Sequence, residues 1–355
     1  MPSSYCVNLW DSRTESQRVL EQISISTPSR LHFGMFSIGD LVLRKFGGIG
    51  LMIDSPRTIV TASSSERLEI RGGPEIHPCR ASVKRWFDRL SFPLSASLSI
   101  ESMDEIPVCI EIESVPPRHC GFGSGTQLAL STVMALSKFL KLSVPGPEEL
   151  ATIIGRGKRS GIGSYGFYHG GFLVDRGRLP NERLAPLDFH TSFPEPWTIV
   201  CVLHKDANGL WGDKETSAFD QLPRTTEKQR DEMIEIVRER IIPGILQRNF
   251  DSFSEGIYEF GRRSGMMYAE IQNGPYNGPQ IGDLIERIRG FGVKAVGQSS
   301  WGPCVFAITR NDGAAQQLVG FLRSHYGNQC VVMTAKSDNT GARCIEKITS
   351  EKDHT

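Results

Sequence analysis

The chain has 355 residues, 39% of them hydrophobic, with 40 lysines plus arginines set against 40 aspartates plus glutamates. That length holds two modest domains with ordinary packed cores. A balance of zero excludes a global field for nucleic acid or an anionic membrane, so the expected partner is small and any anion must be held by a local cluster. Eight cysteines, at 6, 79, 109, 120, 201, 304, 330 and 344, show neither CxxC nor CxxxxC spacing, which argues against a zinc ribbon or an iron–sulfur site and for thiols of a reducing compartment. Residues 1–20 lack a signal-peptide core and no uncharged apolar run approaches membrane length, so a cytoplasmic location is expected.

Residues 1–21 are polar and patternless and read as an N-terminal extension. Short strands are expected at 23–26, 30–36, 48–54 and 58–63, divided by Gly, Pro and Asp. A helix over 81–90 precedes PVCIEIESV at 107–115, where Val108, Ile110 and Ile112 alternate with Glu111 and Glu113. Helices follow at 124–141 and 147–156, the second opened by proline and two glutamates. FYHGGFLVDRG at 167–177 reads as a strand, and the proline-rich stretch after it reads as a linker, with a boundary near 190. The second half opens on strand 197–204 and continues through helices near 214–221, 226–240, 251–269 and 280–290. Strands KAVGQSS and CVFAIT, a helix at 312–326 and strand CVVMTA complete it. This order suggests an antiparallel sheet with helices on one face, and an α+β fold. The expected division is 22–190 and 191–349, with 350–355 as a tail.

Three glycine-rich stretches carry the chemistry. GFGSGTQLAL at 121–130 sets Gly121, Gly123 and Gly125, with Ser124, Thr126 and Gln127, at the mouth of a helix. Glycines let the backbone approach a ligand closely, and the helix N-terminus aims free N–H groups and the positive dipole end at phosphate oxygens. The stretch has no P-loop lysine and does not fit GxGxxG; a plain helix-capping turn is the other reading. GRGKRSGIGSYG at 155–166 gathers Arg156, Lys158 and Arg159 ahead of Ser160 and Gly161, a trio able to neutralise a pyrophosphate or else a solvated basic turn. GQSSWGPCVFAI at 297–308 offers Gln298, Ser299 and Ser300 as donors to oxygens and Trp301 as a flat face for an aromatic ring; Trp301 reads equally as a packing residue.

The three stretches, with PSRLHFG at 28–34, PRHCGFGSGTQLAL at 117–130 and the late loop at 297–308, resemble the GHMP kinase superfamily over about residues 22–349. The resemblance implies a two-domain fold: a β-rich N-terminal phosphate-binding domain with helices, and a C-terminal ferredoxin-like α/β sandwich. SRLHFG, FGGIGL, GRGKRSGIGSYGFYHGGFLVD, GLWGDKE and QSSWGP resemble more closely the β-ribofuranosylaminobenzene 5′-phosphate synthase branch of that superfamily. That branch joins 4-aminobenzoate or 4-hydroxybenzoate to phosphoribosyl pyrophosphate, with release of CO2 and pyrophosphate, early in tetrahydromethanopterin synthesis. For that reaction the pyrophosphate is expected on the 121–126 loop with Arg156, Lys158, Arg159 and Mg2+ offsetting its charge, Arg30 and His32 are expected on the benzoate carboxylate or the 5′-phosphate, Trp301 is expected to flank the ring, and no organic cofactor is expected.

One departure from the kinases is chemical. Many carry an aspartate after the SGxx segment to orient the attacking hydroxyl, whereas this chain has Ser164 and Tyr165 there, and a neutral serine is a poor base. His32 stands where the kinases usually place a small polar residue. Arg30 as a structural ion-pair former and His32 as a core histidine remain open from the residues alone. So do two other functions: an ATP-dependent small-molecule kinase, and a non-catalytic phosphometabolite-binding protein. Asp54, Asp175, Asp206, Asp213 and Glu215 are the candidate metal carboxylates, none of them compelling. The general frequency of twofold assemblies makes a homodimer the expected state.

Overall fold

The computed structural model describes residues 18–39, 43–90, 100–205 and 222–350. The expected helix at 214–221, the GLWGDKE stretch, and Asp206, Asp213 and Glu215 lie outside them.

The first sheet is built on two long antiparallel strands, β1 (Arg18–Met35) and β2 (Gly48–Ser64). Each spans two of the expected strands. The prolines at 28 and 56 sit where the ladder jumps from Thr27↔Thr58 to Ser29↔Ile53, so a bulge accommodates them without ending either strand. That irregularity also exchanges the faces of β1. Ile23 and Ile25 enter a core shared with the first half's helices, whereas Leu31 and Phe33 enter a core shared with the second sheet. Side chains alternate along a strand, so Arg30 and His32 fall on the opposite face from Leu31 and Phe33.

Strands β3 (Glu69–Arg71), β4 (Val108–Ser114), β5 (Phe172–Asp175) and β6 (Leu187–Thr191) extend this sheet beyond β2. Helices α1 (Ile76–Leu90) and α2 (Ser124–Phe139) cover it, with Trp86, Leu128, Val133 and Leu136 packed on Val60, Ala62, Ile110 and Ile112. α2 is buried on nearly every side, which fits its almost continuous apolar sequence. Two short helices follow, α3 (Pro147–Ile153) and α4 (Ile162–His169). α4 corrects the expected strand over 167–177: FYH closes a helix, and only 172–175 is strand. β6 lies in the proline-rich stretch expected to be a linker.

The second sheet has the order β10-β7-β9-β8, from β7 (Thr198–His204), β8 (Ala295–Gln298), β9 (Cys304–Thr309) and β10 (Cys330–Ala335), all antiparallel. Taken in chain order its strands run 4-1-3-2, the ferredoxin-like arrangement. Helices α5 (Glu227–Ile236), α6 (Ile242–Leu246), α7 (Phe250–Met266), α8 (Ala269–Gln272) and α9 (Pro279–Gly290) fall between β7 and β8, and α10 (Asp312–Tyr326) falls between β9 and β10. A π-helical turn, Val237–Ile241, joins α5 to α6. Asn249 and Asn311 cap α7 and α10 by accepting from the amides of Ser252 and Ala314.

Helices were expected on one face of this sheet, but it is buried on both. Ile199, Cys201, Phe306 and Ile308 pack with Phe253, Ile257 and Phe260 of α7, while Val200, Val202, Val305 and Ala307 pack with Leu284, Ile288, Leu318 and Leu322 of α9 and α10. The unbroken apolar runs of β7 and β9 suit a strand dry on both sides. Strand β11 (Arg343–Ser350), absent from the sequence reading, returns to pair antiparallel with β1. Residues 343–349, expected with the second half, and 350, expected in the tail, therefore belong to the first sheet.

Candidate active site

The three glycine stretches meet in one cleft. The loop at 121–123 leads into α2, whose N-cap, Gly123, has φ 69° and ψ 18°, a left-handed conformation that disfavours a side chain. The amides of Thr126 and Gln127 are bonded to Gly123 O. Those of Ser124 and Gly125 have no partner within the helix, by the geometry of a helix start. Arg30 N donates to Phe122 O at 2.9 Å, which fastens β1 under the loop.

The late loop locks against the first. Ser299 Oγ donates to Gly121 O at 2.7 Å and accepts from His32 N at 3.0 Å, and Ser300 N donates to His32 O at 2.9 Å. A Cβ on Gly121 would lie 2.6 Å from Ser299 O, and one on Gly302 would strike Gly121 N, so glycine is required for the interlock. Ser299 is fully buried and serves this junction rather than a ligand. Gln298 is likewise committed: its Oε1 accepts from Asn277 N and its Nε2 donates to Gly302 O. Ser300 holds a positive φ of 55° and lines the cleft. Trp301 is buried, edge-on to Tyr268 at 4.8 Å between centroids, and also walls the cleft.

Cations dominate the wall. Arg30, Arg118, Arg156, Lys158 and Arg159 line two adjoining cavities at the mouth of α2, together with His32, His119 and Thr126. Among the described residues no aspartate or glutamate lines either one. Such a cleft concentrates positive potential in a chain of zero net charge. Arg118 and His119, inside the quoted PRHCG, were not singled out in the sequence although they flank the glycines. Other sequence candidates serve the scaffold. Gln127 accepts from Thr27 Oγ1 and donates to Gly163 O, Ser124 is buried beside Pro117 O, and Gly161 caps α4. Ser164, at the kinase aspartate's place, is buried and borders the cleft.

A buried polar chain leads away from the cleft. His32 Nε2 lies 3.2 Å from Ser160 Oγ, which donates to Asp175 Oδ2 at 2.9 Å. Asp175 is fully buried and also accepts from the amides of Gly161 and Gly177. Burial raises its carboxyl to about 6, against the lowering effect of these bonds. His32 is held well below its ordinary value by burial and then by the neighbouring Arg30, so its ring is neutral at pH 7. The bonds of Asp175 are to protein donors, and Asp54 accepts from Lys336 N away from the cleft. No cluster of three or more His, Cys, Asp or Glu suited to a metal occurs among the described residues.

A family model described as the GHMP kinases N terminal domain matches residues 92–171, and one described as GHMP kinases C terminal matches 241–328. Both halves of the chain are thus similar to the GHMP kinases. It is 28% identical over 333 residues to a beta-ribofuranosylphenol 5′-phosphate synthase of Archaeoglobus fulgidus, covering 90% of this chain and 98% of that one. It is 26% identical over 338 residues to the protein of the same name from Methanothermobacter thermautotrophicus, covering 92% and 99%. Among solved structures, homoserine kinase from Cytophaga hutchinsonii superposes with a TM-score of 0.63 at 15% identity, covering 95% of this chain and all of that one. Methanococcus jannaschii mevalonate kinase gives 0.61 at 15% identity, covering 92% and 100%. These likenesses show the α+β GHMP fold, and the synthase relatives support an enzyme. No described helix is long and apolar enough to cross a membrane.

Proposed function

We propose that this protein joins 4-hydroxybenzoate or 4-aminobenzoate to phosphoribosyl pyrophosphate, releasing CO2 and pyrophosphate. The observation that carries the proposal is a helix N-terminus ringed by five cationic side chains, with no carboxylate on the wall among the described residues and a serine where kinases keep an aspartate. Such a cleft suits substrates that bring a diphosphate, a phosphate and a carboxylate, and a nucleophile that attacks through a ring carbon rather than through a hydroxyl that a base must deprotonate. The relatives' printed name supports the same product class.

In this reading the first-turn amides of α2, with Arg156, Lys158 and Arg159, hold the pyrophosphate. The bond from the anomeric carbon to the pyrophosphate oxygen breaks and its electron pair leaves with pyrophosphate. The ring carbon bearing the carboxylate forms the new bond to the sugar, and the carbon–carboxylate bond then returns its pair to the ring as CO2 departs. No proton is lost from that carbon and no organic electron sink is needed. Arg30, at the floor of the cleft, orients the carboxylate end, with the neutral ring of His32 beside it.

Purified protein supplied with Mg2+, phosphoribosyl pyrophosphate and carboxyl-labelled benzoate is expected to release labelled CO2, and an ATP control is not. Absence of CO2 from both benzoates overturns the proposal. A Lys158→Ala, Arg159→Ala double variant removes two charge-assisted contacts, each worth about 1.5–3 kcal/mol. It is expected to weaken donor binding by about 10²-fold or more with an unchanged unfolding midpoint, as read by calorimetric titration and thermal melting. A folded double variant with native donor affinity removes the assigned roles.

A further inference from the structure

The cationic cleft has two lobes, each with cations of its own. The larger, about 290 Å³, is lined by Lys158 and Arg159, and the smaller, about 200 Å³, by Arg118 and His119. Arg30, Thr126, Arg156 and Ser300 border both. We propose that the smaller lobe, through Arg118, takes the 5′-phosphate of the sugar donor, while the diphosphate lies across the junction into the larger lobe. The proposal rests on the reaction put forward above and adds the orientation of the donor and a residue that fixes it.

The division of charge carries the first argument. Each lobe is several times the roughly 30 Å³ that one water occupies, so each has room for a phosphoryl group. Among the described residues neither has a carboxylate on its wall. A nucleoside triphosphate carries its charge as one contiguous run and ends in a neutral base, so it matches a single cationic lobe. A phosphoribosyl diphosphate carries two anionic groups on opposite ends of a neutral sugar, which matches two cationic lobes that meet.

The first turn of α2 stands where they meet. A Cβ on Gly123 would lie 3.0 Å from Arg30 Nε and one on Gly125 3.3 Å from Arg156 Nη2, and both arginines border both lobes. A diphosphate on the first-turn amides therefore has Arg156 beside it and Lys158 and Arg159 beyond, three cations for the more highly charged group. The monophosphate, with its lower charge, falls to the lobe of Arg118. That side chain is steadied from outside: its Nε lies 3.7 Å from Glu75 Oε2, on a side chain only 12% exposed. The two terminal nitrogens form the fork that grips phosphate oxygens in pairs. The backbone that follows is pinned as well, because Gly121 O accepts from Ser299 Oγ and Phe122 O from Arg30 N.

The test is calorimetric titration with pyrophosphate and ribose 5-phosphate in the presence of Mg2+, each alone and each with the other at saturation. The two are expected to bind together, one of each per chain. Arg118→Leu is expected to weaken ribose 5-phosphate binding to the pyrophosphate-saturated protein at least about tenfold, as loss of a charge-assisted contact does, and to change pyrophosphate affinity less than about threefold. Lys158→Leu is expected to do the reverse. Arg118→Lys keeps the charge without the fork, so it should fall between wild type and leucine, and it serves if the leucine variant fails to fold. Mutual displacement of the two anions, equal loss of both in a folded Arg118 variant, or native ribose 5-phosphate affinity in folded Arg118→Leu overturns the division. If both anions bind together and Arg118 separates them, yet neither benzoate yields CO2, the reaction falls and the division stands. CO2 release alongside mutual displacement has the opposite meaning.

Discussion

Gly123→Val is expected to lower kcat/KM for phosphoribosyl pyrophosphate by at least about 10³-fold. Two separate effects lead there. Position 123 has φ 69°, and a β-branched residue is strained in that region by about 1–3 kcal/mol. The added Cβ would also stand 3.0 Å from Arg30 Nε, so the arginine and the loop could not both keep their places. The loop fixes the first-turn amides of α2 within reach of the diphosphate, and a displacement of about 1 Å in such a site costs on the order of 10²-fold in rate by itself. Gly125 gives the contrast, because its backbone is ordinary and an added Cβ would meet only Arg156 Nη2, at 3.3 Å. Gly125→Ala should therefore cost far less. Steady-state kinetics on the two variants, with thermal melting to confirm folding, reads the difference. Activity within tenfold of wild type for Gly123→Val would mean that the loop is a simple helix cap.

The glycine loop and the helix behind it were legible in the sequence because their signals are local: three glycines, two hydroxyls and an apolar run are enough to place a helix N-terminus. Strands β4, β7 and β9 were legible for the same reason. Residues whose role depends on a distant partner were not. Ser299 and Gln298 looked like ligand donors in a loop rich in polar groups, yet Ser299 is spent on Gly121, 178 positions away, and Gln298 on Asn277. Asp175 was one of several scattered carboxylates until the fold set Ser160 against it and His32 against Ser160, 128 positions apart. β11 went unseen because Arg343–Ser350 alternates with little apolar contrast, and its pairing with β1 crosses nearly the whole chain. The architecture as a whole came from the family resemblance, since local patterns alone suggested only an α+β chain.

Asp175→Asn is expected to reduce kcat/KM by about 10²-fold at pH 7, as a small displacement of a positioned group can, and to remove the acid limb expected of the wild type near pH 6. At pH 7 the Asp175 carboxylate accepts the Ser160 hydroxyl proton, so Ser160 Oγ is left to accept from Ile162 N and from His32 Nε2–H. That arrangement assigns the imidazole proton to Nε2 and leaves Nδ1 as the acceptor. Below about pH 6 the protonated carboxyl becomes a donor, the Ser160 hydroxyl turns to His32, and the imidazole tautomer reverses. Burial and then Arg30 hold the ionisation of the ring itself well below its ordinary value. Stability carries an independent signature of the same group. Its folded value of about 6 lies above its ordinary 3.8, so the folded protein binds this proton more tightly and loses stability as pH rises between those values, by up to about 3 kcal/mol. Asparagine should flatten that slope in denaturant titrations between pH 4 and 6. Loss of the acid limb together with the flattened slope assigns both to Asp175, whereas an unaltered pH profile in the folded variant would leave the carboxylate a structural anchor for Gly161 and Gly177, without influence on His32.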